Sequence, residues 1–171
     1  GSLVWHDSNN NGVVNPWEAG IPNVVVELFR TLPDGTPIDA DGDAGNGLTA
    51  AHVTTTKADG TYYFAVTAGT YKVRIPVSNF ATPGGALANY PKSTGTPVNA
   101  DNQVDNDNNG IQTGGPATEV WSPMITLSFG DEPLGNGAGV GTESGLGGGQ
   151  DDLTSVRDAN GDMTVDFGFW N

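Results

Sequence analysis

Apolar and polar residues alternate along much of the chain, which is typical of half-buried β-strands rather than of helices. Alternation runs through residues 24–29, 61–66, 71–75, 121–129 and 163–170, and residues 3–6 form a further apolar strand. The apolar positions that share a face are Val24, Val26 and Leu28; Tyr62, Phe64 and Val66; Tyr71, Val73 and Ile75; Trp121, Ile125, Leu127 and Phe129; and Met163, Val165, Phe167 and Phe169. Lys72 and Arg74 have the opposite parity and are predicted to face water. Strands at this spacing predict an all-β fold, an antiparallel β-sandwich of immunoglobulin-like or prealbumin-like type.

Turn-rich insertions interrupt this pattern at residues 33–50 and 130–150, and irregular loops occupy much of 76–118. A chain of 171 residues is long enough for one domain with a proper core, and no internal repeat is evident. We therefore predict a single domain over residues 1–171, with 33–50 and 130–150 as its insertions.

The charge of the chain favours a sandwich that holds cations. The formal net charge is −14, which excludes nucleic acid or an anionic membrane as a partner held by charge alone. Asp outnumbers Glu by 15 to 5, and most Asp adjoin Asn or Gly, as in loops that cage divalent cations. The chain has no Cys, which excludes disulfides and thiolate metal sites, and no apolar run approaches the ~20 residues of a membrane span. Bound calcium ions would relieve the self-repulsion of so many carboxylates.

Residues 7–18, DSNNNGVVNPWE, follow the spacing of an EF-hand calcium loop. Gly12 stands where that loop turns sharply, and Glu18 closes the loop as the expected bidentate ligand. The predicted ligands are Asp7, Asn9, Asn11, the carbonyl group of Val13, Asn15 and Glu18. The alternative is a turn rich in Asn and Gly that binds no metal.

Three further acidic runs are candidate calcium sites. The second site has Asp105, Asp107, Asn109 and the carbonyl group of Ile111 as ligands, with Asp101 as a remote carboxylate that completes the set. The third site has Asp39, Asp41 and Asp43, and the fourth has Asp158, Asn160 and Asp162, with Asp151, Asp152 and Asp166 as helpers. The alternative without metal is a solvated acidic turn for the second run, an exposed acidic loop for the third and a plain turn for the fourth. In all, two to four Ca²⁺ ions are predicted.

The sequence supports catalysis and sugar binding less well than it supports calcium binding. His6 and His52 lie far apart with no nucleophile motif beside either, and nearly every Asp belongs to a turn pattern, so no catalytic residue is predicted. Trp5, Trp17 and Trp121 are predicted to pack in the core or against loops. A carbohydrate-binding platform of exposed tryptophans is the alternative.

Taken together, the motifs of this chain resemble those of a known family. The stretches that carry the resemblance are GSLVWHDSNNNGVVNPWEAGIPNVVVEL (1–28), TKADGTYYF (56–64), AGTYKVRI (68–75), DNDNNGI (105–111) and DANGDMTVDFGF (158–169). These stretches occur in the order typical of the SdrD B-like repeat family, which they resemble. Members of that family are calcium-binding β-sandwich modules of bacterial surface adhesins and are related to collagen-adhesin B-type domains. The resemblance implies tandem, stalk-like modules outside the cell, stiffened by several calcium ions, with the first calcium loop lying between strands.

With this resemblance, the favoured interpretation is an extracellular, calcium-stabilised module of a bacterial cell-surface protein that acts as a rigid spacer or assembly unit. Its expected partners are neighbouring copies or tandem modules of the same protein. The alternatives are a self-assembling filament subunit and an adhesin module that binds a carbohydrate, host matrix or cell-surface ligand. Related B-type domains often carry a Lys–Asn crosslink between the first and last strands, but residues 3–6 contain no Lys, so calcium is expected to be the main staple.

Overall fold

The computed structural model describes residues 1–43, 45–95, 106–129 and 162–171. The strands in these ranges are β1 (Ser2–His6), β2 (Val25–Arg30), β3 (His52–Thr55), β4 (Thr61–Tyr62), β5 (Gly69–Ile75), β6 (Lys92–Ser93), β7 (Val120–Trp121), β8 (Ile125–Leu127) and β9 (Phe167–Trp170). The helical structure described is one short 3-10 helix, Val77–Phe80. Within the same ranges, no helix is long and apolar enough to cross a membrane.

The strands form two sheets. One has the order β4-β1-β9-β6, and the other has the order β3-β2-β5-β7, with β8 also paired to β5. The pairs are antiparallel except for β1 and β9, which run parallel with Val4 opposite Phe167. The two-sheet, all-β prediction is confirmed, but the antiparallel prediction is wrong for the first and last strands. Because most of the chain separates those two strands, no tight hairpin forces them to be antiparallel.

The core lies between the two sheets and contains most of the residues that alternation assigned to it. Side chains of both sheets pack into one buried cluster, which includes Val4 and Phe167 from the first sheet and Val26 and Val73 from the second. Phe129 departs from the pattern, because its side chain is 80% exposed beyond the end of β8.

The outcomes for three of the tryptophans differ. Trp5 is fully buried, as predicted, but Trp17 is 71% exposed, so the prediction that it packs in the core or against loops is wrong. Trp121 is half-buried. Its ring lies 5.1 Å from the ring of Phe29, measured between centroids.

Part of the outer face of the five-stranded sheet is covered around Arg74. The guanidinium carbon of Arg74 lies 4.7 Å from the ring centroid of Phe29 and 5.2 Å from that of Trp121. Its Nε donates to Glu27 Oε2 at 2.6 Å, and its Nη2 donates to the carbonyl oxygen of Leu48, in the 33–50 insertion, at 3.2 Å. These contacts leave the Arg74 side chain only 15% exposed, so the prediction that it faces water is wrong. One arginine thus holds the insertion against the sheet.

We expect Arg74→Ala to lower the free energy of unfolding by about 2 kcal/mol, because it removes a largely buried ion pair and two cation–π contacts. Urea denaturation followed by tryptophan fluorescence would measure the change. Lys72→Ala, two residues away on the same face of β5, is the control and should shift stability by less than ~0.5 kcal/mol. Equal stability of the two variants would contradict the role assigned to Arg74.

Candidate metal-binding loops

The first predicted calcium loop, residues 7–18, leaves the end of β1 and returns beside it. The backbone nitrogen of His6 donates to Ala19 O at 3.0 Å, and that of Ile21 donates to Val4 O at 2.8 Å. The backbone nitrogen of Asp7 donates to Phe169 O, on β9, at 2.9 Å. The loop therefore projects from the end of the sheet where β9 also ends, and it lies between strands.

The carboxylate of Asp7 anchors this loop from inside. Asp7 is fully buried, its Oδ2 accepts from the backbone nitrogen of Gly12 at 2.8 Å, and its Oδ1 accepts from that of Asn11 at 3.1 Å. The hydroxyl group of Thr94 also donates to Asp7 Oδ2, at 2.8 Å. Gly12 has φ +77°, a left-handed conformation that glycine adopts without steric cost, and this is the sharp turn that the motif requires.

Glu18, the predicted closing ligand, bonds back to the backbone of the first loop, and its role in holding a metal stays a prediction. Its Oε1 accepts from the backbone nitrogen of Ser8 at 2.8 Å, and its Oε2 accepts from that of Asn15 at 3.0 Å, so both oxygens face the loop. The side-chain oxygen of Asn15 accepts from the Nδ2 atoms of Asn9 and Asn11, at 2.9 and 3.1 Å. Five of the six predicted ligands thus contact one another or the same short backbone segment, and the sixth, Val13, lies among them in the chain.

The chemistry of this set suits calcium, which prefers six to eight oxygen ligands. The loop offers two carboxylates, Asp7 and Glu18, and otherwise amide and carbonyl oxygens. Neither carboxylate forms an ion pair with a Lys or Arg among the described residues. A fully buried carboxylate without a counter-ion is costly, and a bound cation would offset that cost. The residues present therefore fit a calcium ion.

The second loop pairs with the first through its backbone. Val13 and Asp107 form an antiparallel β-bridge, in which the backbone nitrogen of Val14 donates to Asn106 O at 2.9 Å. The backbone nitrogen of Asn108 donates to Gly12 O at 3.0 Å. The structure therefore brings two predicted calcium loops side by side, although they are about ninety residues apart in the chain.

The predicted ligands of the second loop are only partly described. The side chains of Asp107 and Asn109 meet, since Asn109 Nδ2 donates to Asp107 Oδ1 at 3.0 Å. The carbonyl group of Ile111 already accepts from the backbone nitrogen of Trp121 at 3.0 Å, which ties it to β7. Asp101 and Asp105 lie outside the described residues, so their predicted roles stay predictions.

Two residues that hold the second loop were not singled out for it from the sequence. Asn108 is fully buried, and its Oδ1 accepts from the backbone nitrogen of Gly168, on β9, at 3.0 Å. Asp166, considered only as a helper of the fourth site, accepts from the backbone nitrogens of Leu3 and Asn106, both at 2.8 Å. The sequence places Asp166 just before the last strand, which made it a candidate helper ligand. No sequence motif, however, indicates that it bonds to the backbone of Asn106.

The third run forms a turn in which acidic side chains cap backbone groups. Asp41 Oδ1 accepts from the backbone nitrogen of Asp43 at 2.9 Å, and Asp39 Oδ1 accepts from that of Thr49 at 3.0 Å. Hydrogen bonds from the backbone of Asp43 and from the side chains of Asn46 and Thr49 lower the pKa of Asp41 from 3.8 to about 2. These contacts account for the acidic residues as a solvated turn, and metal binding here stays a prediction.

The fourth run is represented among the described residues by Asp162. Its Oδ1 accepts from the backbone nitrogen and the hydroxyl group of Thr164, at 2.8 and 2.7 Å, and its carbonyl group accepts from the N-terminal amine of Gly1 at 2.6 Å. Asp158 and Asn160 lie outside the described residues. In the described ranges, no three side chains of the types His, Cys, Asp and Glu gather in a way that could hold a metal. To hold a calcium ion, the first loop would therefore need amide and carbonyl oxygens as ligands in addition to its two carboxylates.

The fold and these loops define a class: a two-sheet β module with a loop of calcium-binding spacing between its strands. The sequence model of the SdrD B-like domain matches residues 1–120. The chain belongs to the SdrD B-like domain family. It is 33% identical to serine-aspartate repeat-containing protein D of Staphylococcus aureus strains Newman and MW2. Each alignment extends over 140 residues, or 80% of this chain. The match spans only 9% and 8% of those two proteins, so this chain corresponds to a small part of its relatives.

Proposed function

We propose that this chain is a calcium-stabilised structural module of a bacterial surface protein, located outside the cell and acting as a rigid spacer or assembly unit. Membership of the SdrD B-like domain family supports a modular role within a larger protein. The proposal that calcium binds rests on the geometry of the first loop. There the buried carboxylate of Asp7 and both oxygens of Glu18 are engaged by the same loop backbone, with no Lys or Arg of the described residues paired to either.

Calcium at the first loop would strengthen more than that loop. The loop is bonded to the second loop through Val14 and Gly12, and to β9 through Asp7. A cation that fixes the loop backbone would therefore also hold the second loop and the end of β9 in place. Asp7, Asn9, Asn11, Val13, Asn15 and Glu18 are the residues proposed to hold the ion.

The parallel pairing of β1 and β9 supports the proposed role as a spacer. Because these neighbouring strands run in the same direction, Gly1 and Asn171 lie at opposite ends of their sheet. Tension applied at the two ends would load the hydrogen bonds between β1 and β9 in shear, so many bonds would resist together. Such a module suits a series of tandem copies joined end to end, which are the proposed partners. A host matrix or cell-surface ligand stays a prediction, and no catalytic role is proposed.

We expect Glu18→Ala to weaken calcium binding by at least ~tenfold, or about 1.4 kcal/mol, because both oxygens of the closing carboxylate are lost. Asn15→Ala should weaken binding less, because it removes one neutral oxygen. Isothermal titration with calcium at fixed ionic strength would measure both dissociation constants. Equal losses in the two variants would argue against closure of the site by Glu18.

A further inference from the structure

Asn–Gly pairs are the sites in proteins where asparagine most readily loses its side-chain amide. Glycine has no Cβ, so its backbone nitrogen can approach the side-chain carbonyl carbon of the preceding Asn. The chain contains five such pairs, and those that begin at Asn11, Asn46 and Asn109 lie in the described residues. The three pairs differ in how firmly their surroundings prevent that approach.

At Asn11 the attacking nitrogen is held away. The backbone nitrogen of Gly12 donates to Asp7 Oδ2 at 2.8 Å. Both polar atoms of the Asn11 side chain are also engaged, Oδ1 by the backbone nitrogen of Val13 at 2.9 Å and Nδ2 by Asn15 Oδ1 at 3.1 Å. The loop would have to open before the reaction could begin.

At Asn109 the restraint is tighter, because the residue is fully buried. Its Oδ1 accepts from the backbone nitrogen of Asp166 at 2.7 Å, and its Nδ2 donates to Asp107 Oδ1 at 3.0 Å. The backbone nitrogen of Gly110 donates to Asn108 Oδ1 at 3.2 Å. Reaction here requires the second loop to leave β9.

Asn46 and Gly47 are held far less. Both are exposed in the 33–50 insertion, and the Asn46 side chain is held by a hydrogen bond from its Nδ2 to Asp41 Oδ2, at 3.0 Å. Among the described residues, no hydrogen-bond partner restrains the backbone nitrogen of Gly47. Gly47 has φ +88°, and no atom lies within 4 Å of the place where a Cβ would stand. Neighbouring atoms therefore do not crowd Gly47 on the side where a Cβ would stand.

We propose that Asn46–Gly47 is a site of spontaneous modification in the folded protein. The backbone nitrogen of Gly47 loses its proton and attacks the side-chain carbonyl carbon of Asn46, and the side-chain nitrogen leaves as ammonia. Water then opens the cyclic imide to leave aspartate or isoaspartate at position 46. The product adds a negative charge to the loop that carries Asp39, Asp41 and Asp43, and it cannot donate the hydrogen bond to Asp41.

The test is peptide mapping by mass spectrometry after incubation of the folded chain at mildly alkaline pH. The peptide with Asn46 should convert at least ~tenfold faster than those with Asn11 and Asn109, a difference of about 1.4 kcal/mol in activation free energy. Unfolding the chain in denaturant should remove this difference. Conversion of Asn11 or Asn109 as fast as Asn46, or no conversion at Asn46, would overturn the proposal.

Two controls separate this route from direct hydrolysis of the amide. Asn46→Gln should abolish the conversion, because the longer side chain must close a larger and slower ring. The product at position 46 should contain isoaspartate, which only opening of the cyclic imide provides; a product with aspartate alone would overturn the route. The pairs at Asn136 and Asn160 lie outside the described residues and are mapped as separate peptides.

Discussion

Replacing Asn108 with alanine is expected to lower the free energy of unfolding by about 3–5 kcal/mol. Asn108 Oδ1 accepts from the backbone nitrogens of Gly168 and Gly110, at 3.0 and 3.2 Å. Its Nδ2 donates to the carbonyl oxygens of Thr94 and Gly110, at 3.1 and 3.2 Å. Alanine would leave buried backbone groups without these partners, and each such group costs about 1–3 kcal/mol.

Urea denaturation of Asn108→Ala, followed by tryptophan fluorescence, would measure this loss. Asn46→Ala is the matched control, because Asn46 is exposed and its side chain contacts another exposed residue, Asp41. The control should change stability by less than ~1 kcal/mol. If the two variants unfolded at the same urea concentration, the bonds of Asn108 would not stabilise the attachment of the second loop to β9.

Much of the sandwich could be predicted from alternation, because burial of one face of a strand leaves a direct trace in the sequence. Residues 24–29 and 71–75 coincide closely with β2 and β5. β3 and β6 escaped prediction, because HVTT and KS carry few apolar residues and sit at the edges of their sheets. Alternation also overestimated strand length: residues 63–66 lie beyond β4, although Phe64 and Val66 still pack against the core.

The first loop could be identified as a candidate calcium site from the sequence because all its candidate ligands lie within twelve residues, at the spacing of known calcium loops. In the structure the side chains of Asn9 and Asn11 bond to that of Asn15, and the carboxylates of Asp7 and Glu18 bond to the loop backbone. Whether calcium occupies the loop stays a prediction. The sequence could at best suggest that a remote carboxylate serves the second loop, because such partners meet only after the chain has folded.

The contacts that join distant parts of the chain could not be predicted. Thr94 reaches Asp7 across more than eighty residues, and Arg74 reaches Leu48, which lies within the 33–50 insertion. No local propensity or spacing encodes such pairs, since they depend on sheet order and register. The parallel pairing of β1 and β9 has the same origin.

Removal of calcium is expected to have the other large effect. A ligand that binds only the folded state stabilises it by about 2.7 kcal/mol per site when its free concentration is about 100 times its dissociation constant. For a domain of this size, each kcal/mol shifts the melting temperature by about 2–4 °C. One occupied site is therefore worth about 5–10 °C, and two sites about twice that. The second loop, which is bonded to the first, should become sensitive to protease over residues 98–112 at the same time.

The most direct measurement is thermal unfolding of the wild-type chain and of Glu18→Ala, each in excess calcium and in excess chelator. The account predicts that chelation lowers the melting temperature of the wild-type chain by at least ~5 °C, and that of Glu18→Ala by clearly less. A magnesium control at the same ionic strength separates specific binding from general screening of the −14 net charge. A wild-type chain that melts at the same temperature in calcium and in chelator would contradict the claim that calcium holds this module together.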